Sequence, residues 1–251
     1  MAWRCSALSN EGLVDNLARA GIVQSRRVAD AMKATDRGRY MSTDTPGRLV
    51  DPHVAYMDAP QHIGHRQTIS APHMASHAFA LELADVALRN TATQPRVLDV
   101  GAGSGYLTAC LGHMVEGVGG RVFGIERIPE LVEFARKNIE AADGDLLQKG
   151  IVSVQRWSLT VVCDATEADG WAGLPNEAPF DFIHVGAAAV EPPQSLIDQL
   201  AKGGRLVLPV GNVGESQVLL EIHRTDTNAF TQRKLMDVSY VPLVREQRTE
   251  L

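Results

Sequence analysis

Only three cysteines occur in the 251 residues, Cys5, Cys110 and Cys163, and they lie far apart. An odd, scattered set offers neither a disulfide framework nor the paired spacing of a zinc site, and it suits a reducing compartment. No run approaches the roughly 18 consecutive apolar residues of a membrane-spanning helix. Met1 to Asn10 lacks a basic segment followed by an apolar block, so a secretory leader is not expected. Basic residues are in deficit: 24 Lys and Arg against 30 Asp and Glu give a net charge of −6. Phosphate neutralisation needs a basic face, so nucleic acid is disfavoured as the main partner. Internal repeats and low-complexity tracts are missing as well.

What is present is an ordinary globular composition, 45% hydrophobic and 22% charged, which excludes a disordered chain. The length is ample for a large buried core. Leu13, Val14 and Leu17 stand at helical spacing within residues 9–20, with Gly21 as a stop. Ser25 can cap a second helix that runs through Met32. Residues 40–70 hold Pro46, Pro52, Pro60, Gly47 and Gly64 without a sustained period and read as a long ordered loop. Ser70-Ala71-Pro72 reads as an N-cap with proline in the first turn of a helix that carries Met74, Ala78, Leu81 and Leu88 on one face.

From Arg96 onward the texture changes. Strands predicted at Arg96–Val100, Arg121–Ile125, Phe180–Val185 and Arg205–Val210 alternate with helices at Gly105–Val115, Pro129–Ala141 and Pro193–Leu200. Near-continuous apolar strands in that alternation predict a parallel sheet covered on both faces. Gln217–His223 and Leu235–Val241 follow with no helix between them, which predicts an antiparallel hairpin at one edge. The expected fold is α/β: a Rossmann-like, mostly parallel, doubly wound sheet with an antiparallel C-terminal hairpin over residues 96–251. A helical N-terminal lobe with the long loop, residues 1–95, packs on it as part of one compact unit.

The run Val97 to Gly105 carries the most chemistry. A buried strand ends in Gly101-Ala102-Gly103-Ser104-Gly105, a turn whose glycines let a ligand approach the backbone. Glu126, about 20 residues further on at the end of the next strand, suits a ribose-hydroxyl acceptor. The spacing is G-x-G-x-G, not the G-x-G-x-x-G of dinucleotide enzymes, and Asp99 stands two residues before the first glycine. Together these features are similar to the S-adenosyl-L-methionine loop of class I methyltransferases. Lys202-Gly203-Gly204 reads as a turn before a hydrophobic strand. Asp169-Gly170, in the segment leading to Phe180–Val185, could reach an adenine amino group.

At Thr68-Ile69-Ser70-Ala71-Pro72, within Met57 to His73, the chain closely resembles the protein-L-isoaspartate (D-aspartate) O-methyltransferases. Ala34 to Arg37, His184 to Ala189, Leu206 to Gly211 and Tyr240 to Val244 agree, and the likeness covers Ser9 to about Val244. The resemblance implies a methyl transfer from S-adenosyl-L-methionine, with S-adenosyl-L-homocysteine as product. The acceptor is the free carboxylate of an isoaspartyl or D-aspartyl residue in a damaged protein. It implies Ser70 as the active-site residue with Thr68 beside it. The implied cofactor set is Asp99, Gly101, Gly103, Ser104, Gly105, Glu126, Arg127, Asp169, Gly170 and the Thr68-Ile69-Ser70 stretch. The substrate peptide would lie along Val241, Pro242, Leu243 and Val244. A cytoplasmic monomer without nucleic-acid or membrane partners is the expectation.

The chain also departs from that family. Met74-Ala75-Ser76-His77 is longer than its animal counterpart, so Ala75 or His77 can take the place of a histidine that follows the Met. An insertion lies between Gly150 and Asp169, leaving Cys163-Asp164-Ala165 and Ala168-Asp169-Gly170 as alternative counterparts of a Gly-Asp-Gly motif; the second runs on without a gap and is favoured. Ser70 also has a plainer reading as a helix cap. His62 with His65, and His73 with His77, have metal-like spacing, but no carboxylate or thiol stands at matching spacing, and no metal is expected.

Overall fold

The structure, a computed structural model, describes residues 5–42, 44–74, 77–89, 94–157, 172–212, 214–227 and 229–243. The first helix, α1 (Asn10–Arg19), starts where Ser9 Oγ accepts the Gly12 N–H at 3.1 Å, and Gly21 turns the chain away with φ 72°. Leu13, Val14 and Leu17 are its buried stripe. The second, α2 (Arg26–Ala34), is held to α1 through the Asn10 carboxamide, which donates to the Met32 carbonyl at 2.8 Å.

Residues 40–70 are not featureless. A single helical turn, α3 (Pro52–Ala55), is capped by Asp51 Oδ1 on the His53 N–H. A two-stranded hairpin follows, β1 (Gln61–His62) against β2 (Thr68–Ile69). The next helix, α4 (Ala78–Arg89), begins later than the Ser70-Ala71-Pro72 pattern predicts. Asp58 Oδ1 accepts the His73 N–H at 3.1 Å and pairs with His73 Nδ1 at 2.8 Å. That grip holds Pro72 and His73 in a turn, and Ser70 caps no helix.

Strand β3 (Arg96–Val100) leads to α5 (Tyr106–Glu116), β4 (Arg121–Glu126) and α6 (Pro129–Gln148), the last longer than its sequence pattern suggested. A strand the sequence reading did not contain, β5 (Val152–Arg156), lies outside β4. Then come β6 (Phe180–Val185), α7 (Gln194–Asp198), β7 (Leu200–Val210), β8 (Gln217–Arg224) and β9 (Phe230–Val238). The predicted turn at Lys202-Gly203-Gly204 is an excursion within β7, where the pairing jumps from Phe180↔Leu200 to Phe182↔Arg205.

The seven strands lie in the order β5-β4-β3-β6-β7-β8-β9. The first five are parallel, and β8 and β9 add antiparallel, as predicted. Successive residues point to opposite faces. Val97, Val122, Val152 and Phe182 join α1, α2, α4, α5 and α6 in one core. Leu98, Val100, Ile125, Ile183 and Val185 join α7 on the other. The N-terminal helices thus share a core with the sheet. No described helix is long and apolar enough to cross a membrane.

Candidate active site

The chain builds β3, β4 and β5 in one direction, then returns to place β6 on the other side of β3. The reversal opens a crevice beyond the carboxyl ends of β3 and β6, the general ligand position of open α/β sheets. Here the cavity is ≈ 210 Å³, and a smaller chamber of ≈ 60 Å³ shares Ile63, Thr68, Ser70, Gly101, Gly103 and Gly186 with it.

The three loop glycines do different jobs. Gly101, Gly103 and Gly105 all adopt positive φ, 84°, 55° and 85°. Gly101 and Gly103 line the cavity, and the Gly186 N–H bonds the Val100 carbonyl at 2.8 Å to close the floor. Gly105 does not line either space. A Cβ there would sit 3.1 Å from Ile139 Cδ1 and 3.2 Å from Ala135 Cβ, so Gly105 seats α5 against α6. Ser104 is buried in the small chamber's wall.

Glu126 is buried at the end of β4 and lines the main cavity. Its Oε1 accepts the Arg127 and Ile128 N–H groups at 2.7 and 3.0 Å, and its Oε2 accepts the Gly103 N–H at 3.1 Å. A carboxylate accepts about four hydrogens, so one position on Oε2 stays open to a ligand hydroxyl. The exposed Arg127 side chain stands at the rim. On the same wall are Ile128 and Trp157, whose N–H donates to the Glu126 carbonyl at 3.0 Å.

Asp99 is committed from behind. Its Oδ2 accepts from Thr108 Oγ1 at 2.6 Å, and its Oδ1 bonds His184 Nδ1 at 2.9 Å. Asp99 and His184 are register partners across β3 and β6, so both point to the face covered by α5. Thr108 descends from α5 because Gly124, the partner of Asp99 on β4, leaves it room; a Cβ there would meet Thr108 Cγ2 at 3.1 Å. Asp99 lines the small chamber, but its first task is to anchor the glycine turn. Neither His184 nor Thr108 was singled out from sequence. Their one legible signal is polarity among otherwise apolar neighbours.

Facing the glycines across the crevice is the β2 exit. Thr68 and half-buried Ser70 line both spaces, and Ile69 is buried between them. His77 lines the small chamber beneath Ser70, with its ring edge-on to Tyr106 at 5.0 Å. Burial, then the Arg37 cation and the nearby His184, hold the His77 imidazole well below its ordinary value. It is therefore neutral at pH 7, and its Nδ1 has no hydrogen-bond partner among the described residues. Ala75, the alternative to His77, lies outside the described residues. Among those residues no three metal-ligating side chains converge.

The third wall is the segment after β9. Val241, Pro242 and Leu243 line the cavity, and the Val241 carbonyl and Leu243 N–H both bond to Ala188 at 2.8 Å. Gln217 occupies both main-chain groups of Tyr240. The sequence-predicted Asp169, Gly170 and Val244, and the alternative Asp164, lie outside the described residues.

Residues 8–248 match the family described as protein-L-isoaspartate(D-aspartate) O-methyltransferase. A Caenorhabditis elegans protein-L-isoaspartate O-methyltransferase is 41% identical over 98% of this chain and 97% of its own. An Arabidopsis thaliana protein-L-isoaspartate O-methyltransferase 1 is 43% identical over 98% and 96%. A candidate enzyme of this name from Plasmodium falciparum, solved with S-adenosyl-L-homocysteine, superposes with a TM-score of 0.74 at 33% identity. That match covers 94% of this chain and 98% of the other.

Proposed function

The chain belongs to the protein-L-isoaspartate(D-aspartate) O-methyltransferase family, and on that premise we propose how its crevice divides the work of the reaction. It has the fold of class I S-adenosyl-L-methionine-dependent methyltransferases. It is a protein carboxyl O-methyltransferase that esterifies the free carboxylate of L-isoaspartyl and D-aspartyl residues in damaged proteins, which starts their return to aspartate through a succinimide. The observation that carries the assignment of roles is the meeting, at one sheet reversal, of the glycine turn, an unsaturated Glu126 carboxylate and the Ser70 turn.

S-adenosyl-L-methionine, when bound, supplies an electrophilic methyl group on a sulfonium. The residues present suit it. Gly101 and Gly103 offer a wall without side chains, Glu126 Oε2 can accept a ribose hydroxyl, and Ile128 with Trp157 offers apolar and aromatic surface for a base. Arg127, Ser104, Gly105, Asp99 and the Thr68-Ile69-Ser70 stretch complete the proposed set. Gly105 and Asp99 serve it by fixing the turn from behind. Asp169 and Gly170 are proposed for the adenine edge.

A carboxylate with pKa about 4 is ionised at pH 7, so no residue has to remove a proton from the substrate. The protein's task is orientation, which can lower a barrier by ~7–11 kcal/mol. Ser70 and Thr68 hydroxyls are proposed to donate to the substrate carboxylate. Neutral donors hold the anion without the strong ion pair that would blunt its nucleophilicity. Freedom from helix capping leaves the Ser70 hydroxyl available for this. Val241 to Val244 is proposed to carry the peptide. Among the main-chain groups described there, the Val241 carbonyl and Leu243 N–H are taken by Ala188, and the Pro242 carbonyl is one of those left for a partner strand, since Pro itself has no N–H.

A monomer in the cytoplasm is the proposed state, in keeping with the free, buried thiols of Cys5 and Cys110. The N-terminal 1–95 lobe and the 96–251 domain are proposed to fold as one unit, as their shared core suggests. The deciding assay transfers labelled methyl to an isoaspartyl peptide and to its aspartyl twin. Labelling of the isoaspartyl form alone is expected; equal labelling of both, or of neither, defeats the reading.

A further inference from the structure

The turn between β1 and β2 is strained. Gly64, His65 and Arg66 adopt φ of 85°, 51° and 59° in succession. Glycine takes that region freely, but side chains with a Cβ do not, and such outliers gather where function requires them. Two hydrogen bonds hold the turn, Gln67 N–H to the Gly64 carbonyl at 2.8 Å and Ile63 N–H to the Gln67 carbonyl at 3.1 Å. Ile63, Gln67 and Thr68 line the main cavity, so the strained tip stands at its rim.

The tip is basic. His62, His65 and Arg66 are exposed, and among the described residues no hydrogen bond or ion pair engages their side chains. Several other arginines of the N-terminal region are paired: Arg26 with Asp30, Arg39 with Asp36, and both Arg27 and Arg89 with Asp85. Exposed Arg19 and Arg48 lack a side-chain partner among the described residues as Arg66 does, but of these three Arg66 alone adjoins a cavity-lining residue. An unpaired arginine, fixed by a strained turn beside the site of a protein with net charge −6, calls for an anionic partner from outside. At about 3.3 Å per residue, the four steps from Arg66 to Ser70 span at most ~13 Å. An extended peptide whose damaged carboxylate meets Ser70 would therefore bring a side chain within about four residues of the isoaspartyl to Arg66.

We propose that Arg66 is a specificity-determining residue that selects substrates carrying an aspartate or glutamate within about four residues of the isoaspartyl site. The proposal rests on the methyltransferase reading above and names a substrate subclass for it. The recognition is an exposed ion pair, so it acts on peptide affinity and weakens as salt screens it.

The test uses isoaspartyl peptides with one Asp or one Lys at each of the four positions on either side. Both kcat/KM and affinity by fluorescence anisotropy are read. At its best position the Asp peptide is expected to exceed its Lys twin about two- to five-fold, the range of an exposed ion pair. The difference should lie in KM and shrink with added salt. Arg66→Asn, a residue that tolerates the left-handed backbone, should bring the ratio to about one. Arg66→Lys should keep the ratio above one, and Arg66→Glu should invert it. A wild-type ratio of one at every position, or a ratio unmoved in Arg66→Asn and Arg66→Glu, overturns the proposal. If wild type methylates no isoaspartyl peptide at all, the fault lies with the activity assignment and not with the hairpin.

Discussion

Across the crevice, the glycine wall from Val100 to Gly105 and the serine wall from Thr68 to Met74 are built in opposite ways. The first is one strand, one turn and one helix start, continuous in sequence and braced by Asp99, Thr108 and His184. The second is a turn gathered from distant parts. Asp58 grips His73 from fifteen positions away, and His77 rests on Tyr106 of α5. The first wall turns its open glycines to the cavity but is anchored behind by buried, paired side chains; the second keeps accessible hydroxyls with no structural duty. The contrast teaches that this site separates holding from reacting: the wall whose buried anchors are paired fixes position, and the wall with spare donors meets the substrate.

The strongest way to break that contrast is Asp99→Ala, which strips two buried donors of their acceptor. A loss of about 3 kcal/mol or more is expected in urea denaturation. An unshifted midpoint would show that the glycine wall is not braced from behind. Next comes a paired comparison within the loop. Gly105→Ala forces a Cβ onto Ala135 and Ile139 at positive φ, and should lower stability by about 2 kcal/mol. Gly103→Ala carries the positive-φ cost without the packing clash, since its Cβ meets Ile63 Cδ1 only at 3.5 Å; it should lose less stability and in addition weaken S-adenosyl-L-homocysteine binding ~tenfold in calorimetry. Identical behaviour of the two variants would erase the distinction drawn between these glycines.

On the serine wall, Ser70→Ala should cut turnover about ten- to hundredfold, the worth of a hydrogen bond to a charged group. Its S-adenosyl-L-homocysteine affinity should fall less than its turnover. Undiminished turnover on an isoaspartyl peptide removes Ser70 from the mechanism. The smallest expected effect is a pH dependence. With its folded value well below the unfolded one, His77 binds fewer protons in the native state. Its contribution to stability is therefore complete above the ordinary histidine value of about 6.5 and is lost as pH falls below it. His77→Gln should reduce the stability lost between pH 7.5 and 5.5, by at most about 1.4 kcal/mol, the ceiling set by an unfolded value of about 6.5. An identical pH slope in the variant would contradict the buried, neutral assignment.

Legibility in the sequence followed the same division. Arg96–Val100 and Phe180–Val185 have the bounds their apolar runs predicted, because strands buried on both faces need no alternation to be seen. Val152–Arg156 escaped notice: an edge strand of five residues with only Val152 and Val154 buried leaves a faint pattern. The Ser70-Ala71-Pro72 signal was a sound local rule overridden by the Asp58–His73 contact. The excursion inside β7 looked like a turn because Gly203 and Gly204 mark both. His184 was invisible as a site residue, since nothing within β6 announces what lies across from it.

The order of glycines after an apolar strand, the acidic residue closing the next strand, and the alternation of strands with helices were fixed by the amino acids themselves. Positive φ, hydrophobic periodicity and capping are decided within a few residues. The bond between Asp99 and His184 joins positions 85 apart, and the Gln61↔Ile69 hairpin faces glycines more than thirty residues downstream. Only the pairing of β3 with β6 and the packing of α4 and α5 on one sheet face could bring those groups together, because a strand's pattern sets which face a side chain takes but not which neighbour it finds there.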